Sequence, residues 1–209
     1  MAKSRFIVMD GGEGSGKTTF VKFLKEKYTD GSFVFTREPG GSPLAEKIRD
    51  IILSGGAKQA SAETMFALFW AARGDHMKNV IVPALESGKN VVCDRFDSST
   101  YAYQIYAQGG EHLRNLFEEC RKVFLGKNVP DLYIFFDVEP VVGLSRVESR
   151  GEKKTHFDEQ QINFHERVRE GIREFISNKP HAIVDASQSI DKVRQDGEVI
   201  INKLTHSAD

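Results

Sequence analysis

Phe6-Ile7-Val8-Met9-Asp10-Gly11-Gly12-Glu13-Gly14-Ser15-Gly16-Lys17-Thr18 decides the fold. The run Phe6 to Met9 is continuously apolar and ends at Asp10, the pattern of a short strand buried on both faces. Gly11 to Thr18 match G-x-x-x-x-G-K-[ST] at every fixed position. Lys17–Tyr28 then reads as a helix with Phe20, Phe23 and Leu24 on one side. Strand, glycine-rich loop and helix are the context this motif requires. The glycines let backbone N–H groups turn inward around phosphate oxygens, and the helix N-terminus adds its dipole. Gly11, Gly12, Glu13, Gly14, Ser15, Gly16, Lys17, Thr18 and Thr19 are thus the expected ATP-phosphate site. Lys17 would reach the β- and γ-phosphates, and the Thr18 hydroxyl would face Mg²⁺.

Working outward, four more short runs read as buried strands: Ser32–Thr36, Asn90–Asp94, Leu132–Asp137 and Ala182–Asp185, the first strand being Arg5–Asp10. Helical patterns separate them: Leu44–Leu53, Ala62–Ser87, Ser98–Tyr106, Leu113–Leu125, Pro140–Arg150, Asp158–Ser177 and Ile190–Leu204. Strands alternating with helices predict an α/β fold, a five-stranded parallel sheet with right-handed crossovers. The only abrupt compositional change is the polar run Arg150-Gly151-Glu152-Lys153-Lys154-Thr155-His156. It reads either as a solvated loop or as a lid.

The 209 residues predict one domain. A chain this long buries roughly 70% of its unfolded surface and needs no disulfide or metal staple. Lys plus Arg number 29 and Asp plus Glu 30, which argues against a dedicated nucleic-acid binder. Cys93 and Cys120 form no C-x-x-C pair, and Cys93 sits in an apolar run as a small buried hydrophobe. No secretory signal and no run near the roughly 18 residues of a membrane span are visible, so the cytoplasm is the expected compartment. A regulatory GTPase would need D-x-x-G and N-K-x-D, and neither occurs. A small kinase acting on a small acceptor remains.

In open α/β sheets the ligand crevice lies outside the carboxyl ends of the strands. Asp94-Arg95 closes the third strand there, with Asp94 placed for the metal's hydration shell and Arg95 for phosphate oxygens. In Phe69-Trp70-Ala71-Ala72-Arg73 a nearly all-apolar helix carries one Arg, which should meet a partner. Phe69 and Arg73 share a face, which suits a nucleobase by stacking and edge recognition. Core packing of Phe69 accounts for the spacing equally well. Ser99, Thr100, Tyr103 and Gln104 supply small and amide groups on adjoining lines of a helix. Glu13 is out of place in an anion cradle, and it points either to solvent or to a hydroxyl of a second substrate.

Gly-Gly-Glu-Gly-Ser-Gly-Lys-Thr-Thr, Thr36-Arg37-Glu38-Pro39-Gly40-Gly41, Phe69-Trp70-Ala71-Ala72-Arg73 and Asp94-Arg95-Phe96-Asp97-Ser98-Ser99-Thr100 stand in that order. Together they resemble thymidylate kinases of the bacterial type, over nearly the whole chain. The resemblance implies a P-loop NTPase three-layer αβα fold with a short lid at about 150–157. It implies Mg²⁺-dependent phosphoryl transfer from ATP to dTMP, and a homodimer. Residue by residue, Phe69 would stack on thymine and Arg73 bond its edge. Arg49 and Arg95 would hold the monophosphate. Ser99, Thr100 and Gln104 would line the base pocket, and Tyr103 would crowd the sugar 2′ position. Glu13 would bond the 3′-hydroxyl, with Glu38 and Pro39 near the sugar and metal. Arg146 and the loop Ala186-Ser187-Gln188 would flank adenine. Position 14 is Gly, so the catalytic cation should come from the lid: Arg150, or Lys153 or Lys154 in its place.

Overall fold

In the computed structural model the described residues are 4–149, 155 and 157–206. The lid candidates Arg150, Lys153 and Lys154 lie outside them, as does His156.

Five parallel strands form the sheet: β1 Phe6–Asp10, β2 Phe33–Arg37, β3 Asn90–Asp94, β4 Leu132–Asp137 and β5 His181–Asp185. Their order is β2-β3-β1-β4-β5, so β1, which feeds the glycine loop, is central. Register is set by pairs such as Val8 with Cys93 and Val8 with Tyr133. Side chains alternate across the sheet. Ile7, Met9, Val92, Ile134 and Phe136 join one apolar cluster, while Phe6, Val8, Val91, Cys93 and Phe135 join another on the opposite face. Both faces need a cover, which explains the near-continuous apolar strands.

Helices α1 Lys17–Lys27 and α9 Ile190–His206 cover the first face, through Phe20, Leu24, Val193 and Ile201. The other is covered by α3 Ala62–His76, α6 Arg114–Leu125 and α8 Ile162–Ile176, through Phe66, Trp70, Phe117, Val168 and Phe175. Helix α2 Pro43–Ile52 packs on α3, and α7 Pro140–Ser149 follows β4. The result is a three-layer αβα sandwich.

Two expected helices are interrupted. Ala62–Ser87 is α3, a π-helical turn Met77–Ile81, and α4 Val82–Glu86. Pro83 explains the break: it lacks an N–H, and its ring crowds the carbonyl four residues earlier, which a wider turn relieves. Ser98–Tyr106 becomes α5 Asp97–Thr100 followed by a π-helical segment Tyr101–Ala107. The segment packs on α8 where Gly171 has no side chain, since a Cβ there would lie 2.8 Å from Tyr106 Cβ. The expected helix start at Asp158 also moves, to Ile162. Thr155 donates to Asp158 Oδ2 through its N–H at 2.7 Å and its hydroxyl at 2.6 Å, holding this stretch as a turn.

Candidate active site at the carboxyl edge of the sheet

Because all strands run the same way, Asp10, Arg37, Asp94, Asp137 and Asp185 end on one edge. A cleft of about 420 Å³ opens there, lined by the glycine loop, Glu38, Arg49, Phe69, Arg73, Asp94, Arg95, Tyr103 and Gln104.

The glycine loop turns on left-handed Gly14 (φ 66°) and Gly16 (φ 87°). Lys17 is buried, and its Nζ donates to the carbonyls of Gly11 (2.8 Å) and Gly12 (2.9 Å) and to Ser15 Oγ (3.0 Å). Burial, and next the Arg95 charge, push this amine down to about 8. Below β1, Asp10 accepts from Ser98 Oγ at 2.5 Å and from Ser99 Oγ at 2.9 Å. Burial raises the Asp10 carboxyl despite Arg95 nearby.

Glu13 does not face solvent. Its Oε1 accepts from Arg95 Nη2 at 2.6 Å and from the Tyr103 hydroxyl at 2.9 Å. Burial alone would raise this carboxyl, but Arg95, Lys17 and Tyr103 together hold it below its ordinary value. Arg95 itself is a non-glycine residue at φ 66°, a backbone state tolerated where surrounding structure enforces it. Its guanidinium also lies 5.3 Å from the Tyr103 ring centre. Glu13, Arg95 and Tyr103 therefore form one cluster, which meets the Lys17 bonds at Gly11 O, where Arg95 Nη1 also donates at 3.2 Å.

Beyond β2, Arg73 is fully buried. Nε donates to Glu38 Oε2 at 2.9 Å, Nη2 lies 2.8 Å from the same oxygen, and Nη2 donates to Thr100 Oγ1 at 3.0 Å. Among the described residues, Nη1 is buried without a partner, as is Gln104 Oε1. Phe69 lines the cleft four residues before Arg73, and Phe157 closes it, edge-on to Tyr103 at 5.6 Å. Arg49 donates from Nη1 to Pro39 O at 2.7 Å, and burial, then Arg37, pull it below its ordinary value.

Three expected site residues are also held from behind: the Ser99 hydroxyl donates to Asp10, and the Thr100 hydroxyl accepts from Arg73. Glu38 lines the cleft as well, while its two oxygens receive Arg73 and His76. In each case a buried charge in the next layer claims the group.

At β3, Thr18 Oγ1 lies 3.4 Å from Asp94 Oδ2, and Asp94 Oδ1 is buried without a partner among the described residues. Among the described residues no group of three or more His, Cys, Asp or Glu side chains could hold a metal ion. A hydroxyl beside one carboxylate still fits Mg²⁺, which takes one or two protein oxygens and completes its shell with phosphates and water.

A second cavity of about 210 Å³ adjoins the glycine loop, lined by Thr19, Phe20, Arg146, Ala186, Gln188 and Ile190. Arg146 Nη1 donates to Ala186 O at 2.8 Å and reaches Gly14 O at 3.4 Å. Asp185 shapes the loop by accepting from the Ser187 N–H (2.9 Å), the Ser187 hydroxyl (2.6 Å) and Gln188 Nε2 (3.2 Å).

The sequence reading missed Gly143 and His76, while Phe157 belongs to the stretch it expected as the lid. A Cβ on Gly14 would lie 2.0 Å from Gly143 O, and one on Gly143 would lie 2.2 Å from Glu13 O. Spacing within the loop could not reveal this, since α7 arrives from more than a hundred residues away. The resemblance had pointed at Phe69, Arg73, Arg95, Tyr103 and Gln104 together, and all five meet in the cleft.

A family model described as thymidylate kinase matches residues 9–196. The thymidylate kinase of Clostridium novyi (strain NT) is 37% identical over 200 residues, covering 92% of this chain and 96% of that protein. That of Bradyrhizobium sp. (strain ORS 278) is 40% identical over 197 residues, covering 91% and 86%. The crystal structure of thymidylate kinase from Ehrlichia chaffeensis superposes with a TM-score of 0.74 at 28% identity, covering 95% of this chain and 98% of that one. That neighbour carries the P-loop NTPase fold, as does the sandwich described above. By the match along its length and by these relatives, the chain belongs to the thymidylate kinase family.

Proposed function

We propose that the protein, as one domain spanning 1–209, transfers the γ-phosphoryl of ATP to dTMP, giving dTDP. One observation carries the acceptor assignment. Arg73 Nη1, a donor, and Gln104 Oε1, an acceptor, are both buried and unpartnered in side chains that line one cleft. Thymine presents the complement: a carbonyl acceptor at position 4 beside an N–H donor at position 3. Cytosine presents the reverse and would leave both protein groups unsatisfied. Phe69 supplies a stacking face, Tyr103 borders the sugar, and Arg49 and Arg95 grip the monophosphate bidentately.

The nucleophile is a phosphate oxygen. Its second pKa is near 6, so it is largely ionised at pH 7 and needs no general base. The difficulty is bringing two anions together. Lys17 and Arg95 answer it by neutralising charge and fixing an in-line approach. Asp94 and Thr18 would hold Mg²⁺, which would supply charge neutralisation for the transferring phosphoryl group. Thr155, Phe157 and Asp158 already border the cleft, so a lid at 150–157 would exclude water by closing over it. Gly143 O occupies the space that a side chain at position 14 would need, which supports a lid cation from Arg150, Lys153 or Lys154. Adenine would occupy the second cavity, between Arg146 and the loop Ala186-Ser187-Gln188.

Helices α2 and α6 both pack on α3 and carry exposed apolar side chains, Leu44 and Ile51 on α2 and Leu116, Val123 and Phe124 on α6. We assign this face to a homodimer. No described helix is long and apolar enough to cross a membrane, in keeping with a cytoplasmic enzyme.

The test is turnover with a panel of acceptors: dTMP, dUMP, UMP, dCMP and GMP at equal concentration. A preference for dTMP, with dCMP inactive, supports the reading. Equal use of dCMP would refute the assigned edge, and ATP binding with no transfer to any acceptor would leave only a nucleotide-binding module.

A further inference from the structure

His76 plays no part in the chemistry described above, yet it is completely buried behind the base pocket. A carboxylate can only accept, so Nδ1 donates to Glu38 Oε1, at 3.0 Å. Nε2 lies 2.7 Å from Thr36 Oγ1. Glu38 passes the constraint on: its other oxygen takes Nε and Nη2 of Arg73. Nη2 is fixed a second time by Thr100 Oγ1. Every polar corner of Arg73 is thus pinned except Nη1.

The same chain of bonds explains a stretch of sequence whose spacing has no other evident cause. Thr36 and Glu38 alternate along the end of β2 and its turn, and hold the imidazole at opposite edges. Gly41 leaves the ring its room, since a Cβ there would lie 2.5 Å from His76 Nε2 and 2.6 Å from Thr36 Oγ1. Three of the six positions in Thr36-Arg37-Glu38-Pro39-Gly40-Gly41 are therefore shaped around one histidine on α3.

We propose that His76 is a positioning residue for base recognition: through Glu38 it fixes the Arg73 guanidinium so that Nη1 alone is presented to the acceptor's base. The proposal rests on the dTMP reading above. A free guanidinium on a flexible stem would have to be ordered when the substrate binds, and the pre-set one does not.

The test compares His76→Asn, His76→Gln, His76→Phe and Thr36→Val, with dTMP and ATP dissociation constants measured by calorimetry and folding checked by thermal melting. An Asn amide nitrogen stands near the Nδ1 position and can still donate to Glu38, whereas Gln reaches the Nε2 position and serves only Thr36. His76→Asn should keep dTMP affinity within about threefold, while Gln and Phe weaken it about tenfold, the scale of one buried hydrogen bond left unmade. Thr36→Val should lie between them. ATP affinity should stay within about twofold throughout, because the loop of Lys17 is untouched. Equal losses for Asn and Gln, or losses shared by ATP, would overturn the proposal and leave His76 a packing residue. If Phe fails to fold, the Asn–Gln pair decides the matter alone. Wild-type protein that binds no dTMP would overturn the functional reading and this proposal with it; normal wild-type binding with indifferent variants would overturn the proposal only.

Discussion

The Glu13 carboxylate, though it sits inside the phosphate loop, is bonded to the Arg95 guanidinium at 2.6 Å. Tyr103 joins the same oxygen at 2.9 Å. A carboxylate beside a triphosphate would repel it by about 4 kcal/mol at 4 Å and an effective dielectric near 20. The pair with Arg95 cancels that charge and turns the group toward the acceptor. Glu13→Ala should therefore raise the KM for dTMP about tenfold while leaving that for ATP within about twofold. It should also abolish the preference for dTMP over its 3′-deoxy analogue. A variant that still discriminates between the two would place the sugar elsewhere.

Lys17 carries a pH signature. Its ordinary value of 10.5 falls to about 8 in the folded chain. Between those values the unfolded chain holds more protons than the folded one, so this group makes the ligand-free protein more stable as pH rises across that window. Lys17→Met should lose that rise, which pH-dependent melting curves will show. Triphosphate binding needs the charged amine, so ATP affinity should weaken as pH climbs past about 8 in the wild type. In Lys17→Arg, whose charge persists, the affinity should not follow this profile. Lys17→Ala should cut kcat/KM at least ~100-fold, as for loss of one strong charge stabiliser.

Phe69 faces the cleft while its helix neighbours Phe66 and Trp70 are core. Base–aromatic stacking contributes about 1–3 kcal/mol, so Phe69→Ala should weaken dTMP binding by about tenfold or more. Calorimetry with dTMP and ATP separately checks this. Equal effects on both ligands would remove Phe69 from the base site.

Gly143 on α7 packs against the loop so closely that a Cβ would lie 2.2 Å from Glu13 O, a backbone atom that cannot swing aside. Gly143→Ala should displace the loop and cost about 1–3 kcal/mol of stability, as overpacked sites do. The KM for ATP should rise more than that for dTMP. Unchanged ATP kinetics would mean that α7 does not set the loop's shape.

Separate Arg150→Ala, Lys153→Ala and Lys154→Ala variants address the lid. At least one should lower kcat about tenfold or more with little change in either KM, as expected when a group acts only in the transition state. If all three keep full kcat, the catalytic cation is not in the lid.

The three central strands were legible nearly to the residue, because burial on both faces forces an unbroken apolar run bounded by Asp or Arg, as in Asn90–Asp94 and Leu132–Asp137, whereas the edge strands Phe33–Arg37 and His181–Asp185, expected as buried, are only partly covered. The glycine loop was legible because its chemistry fixes residues eight apart or closer. The breaks at Met77–Ile81 and Tyr101–Ala107 were not, since π-helical turns answer to tertiary demands: Pro83 in one case, close packing on α8 in the other. Second-layer roles were the hardest to read. Ser99, Thr100 and Glu38 carry the right chemistry to touch a ligand, and only the positions of Asp10, Arg73 and His76 show that these groups are already engaged. Gly143 gave no local signal at all.

The central claim is acceptor-dependent phosphoryl transfer. It is tested most directly by incubating the protein with γ-labelled ATP, Mg²⁺ and dTMP and asking where the label goes. The account predicts label in dTDP, transfer that stops without dTMP, and little label in inorganic phosphate. Label released mainly as inorganic phosphate at a rate indifferent to dTMP would contradict it.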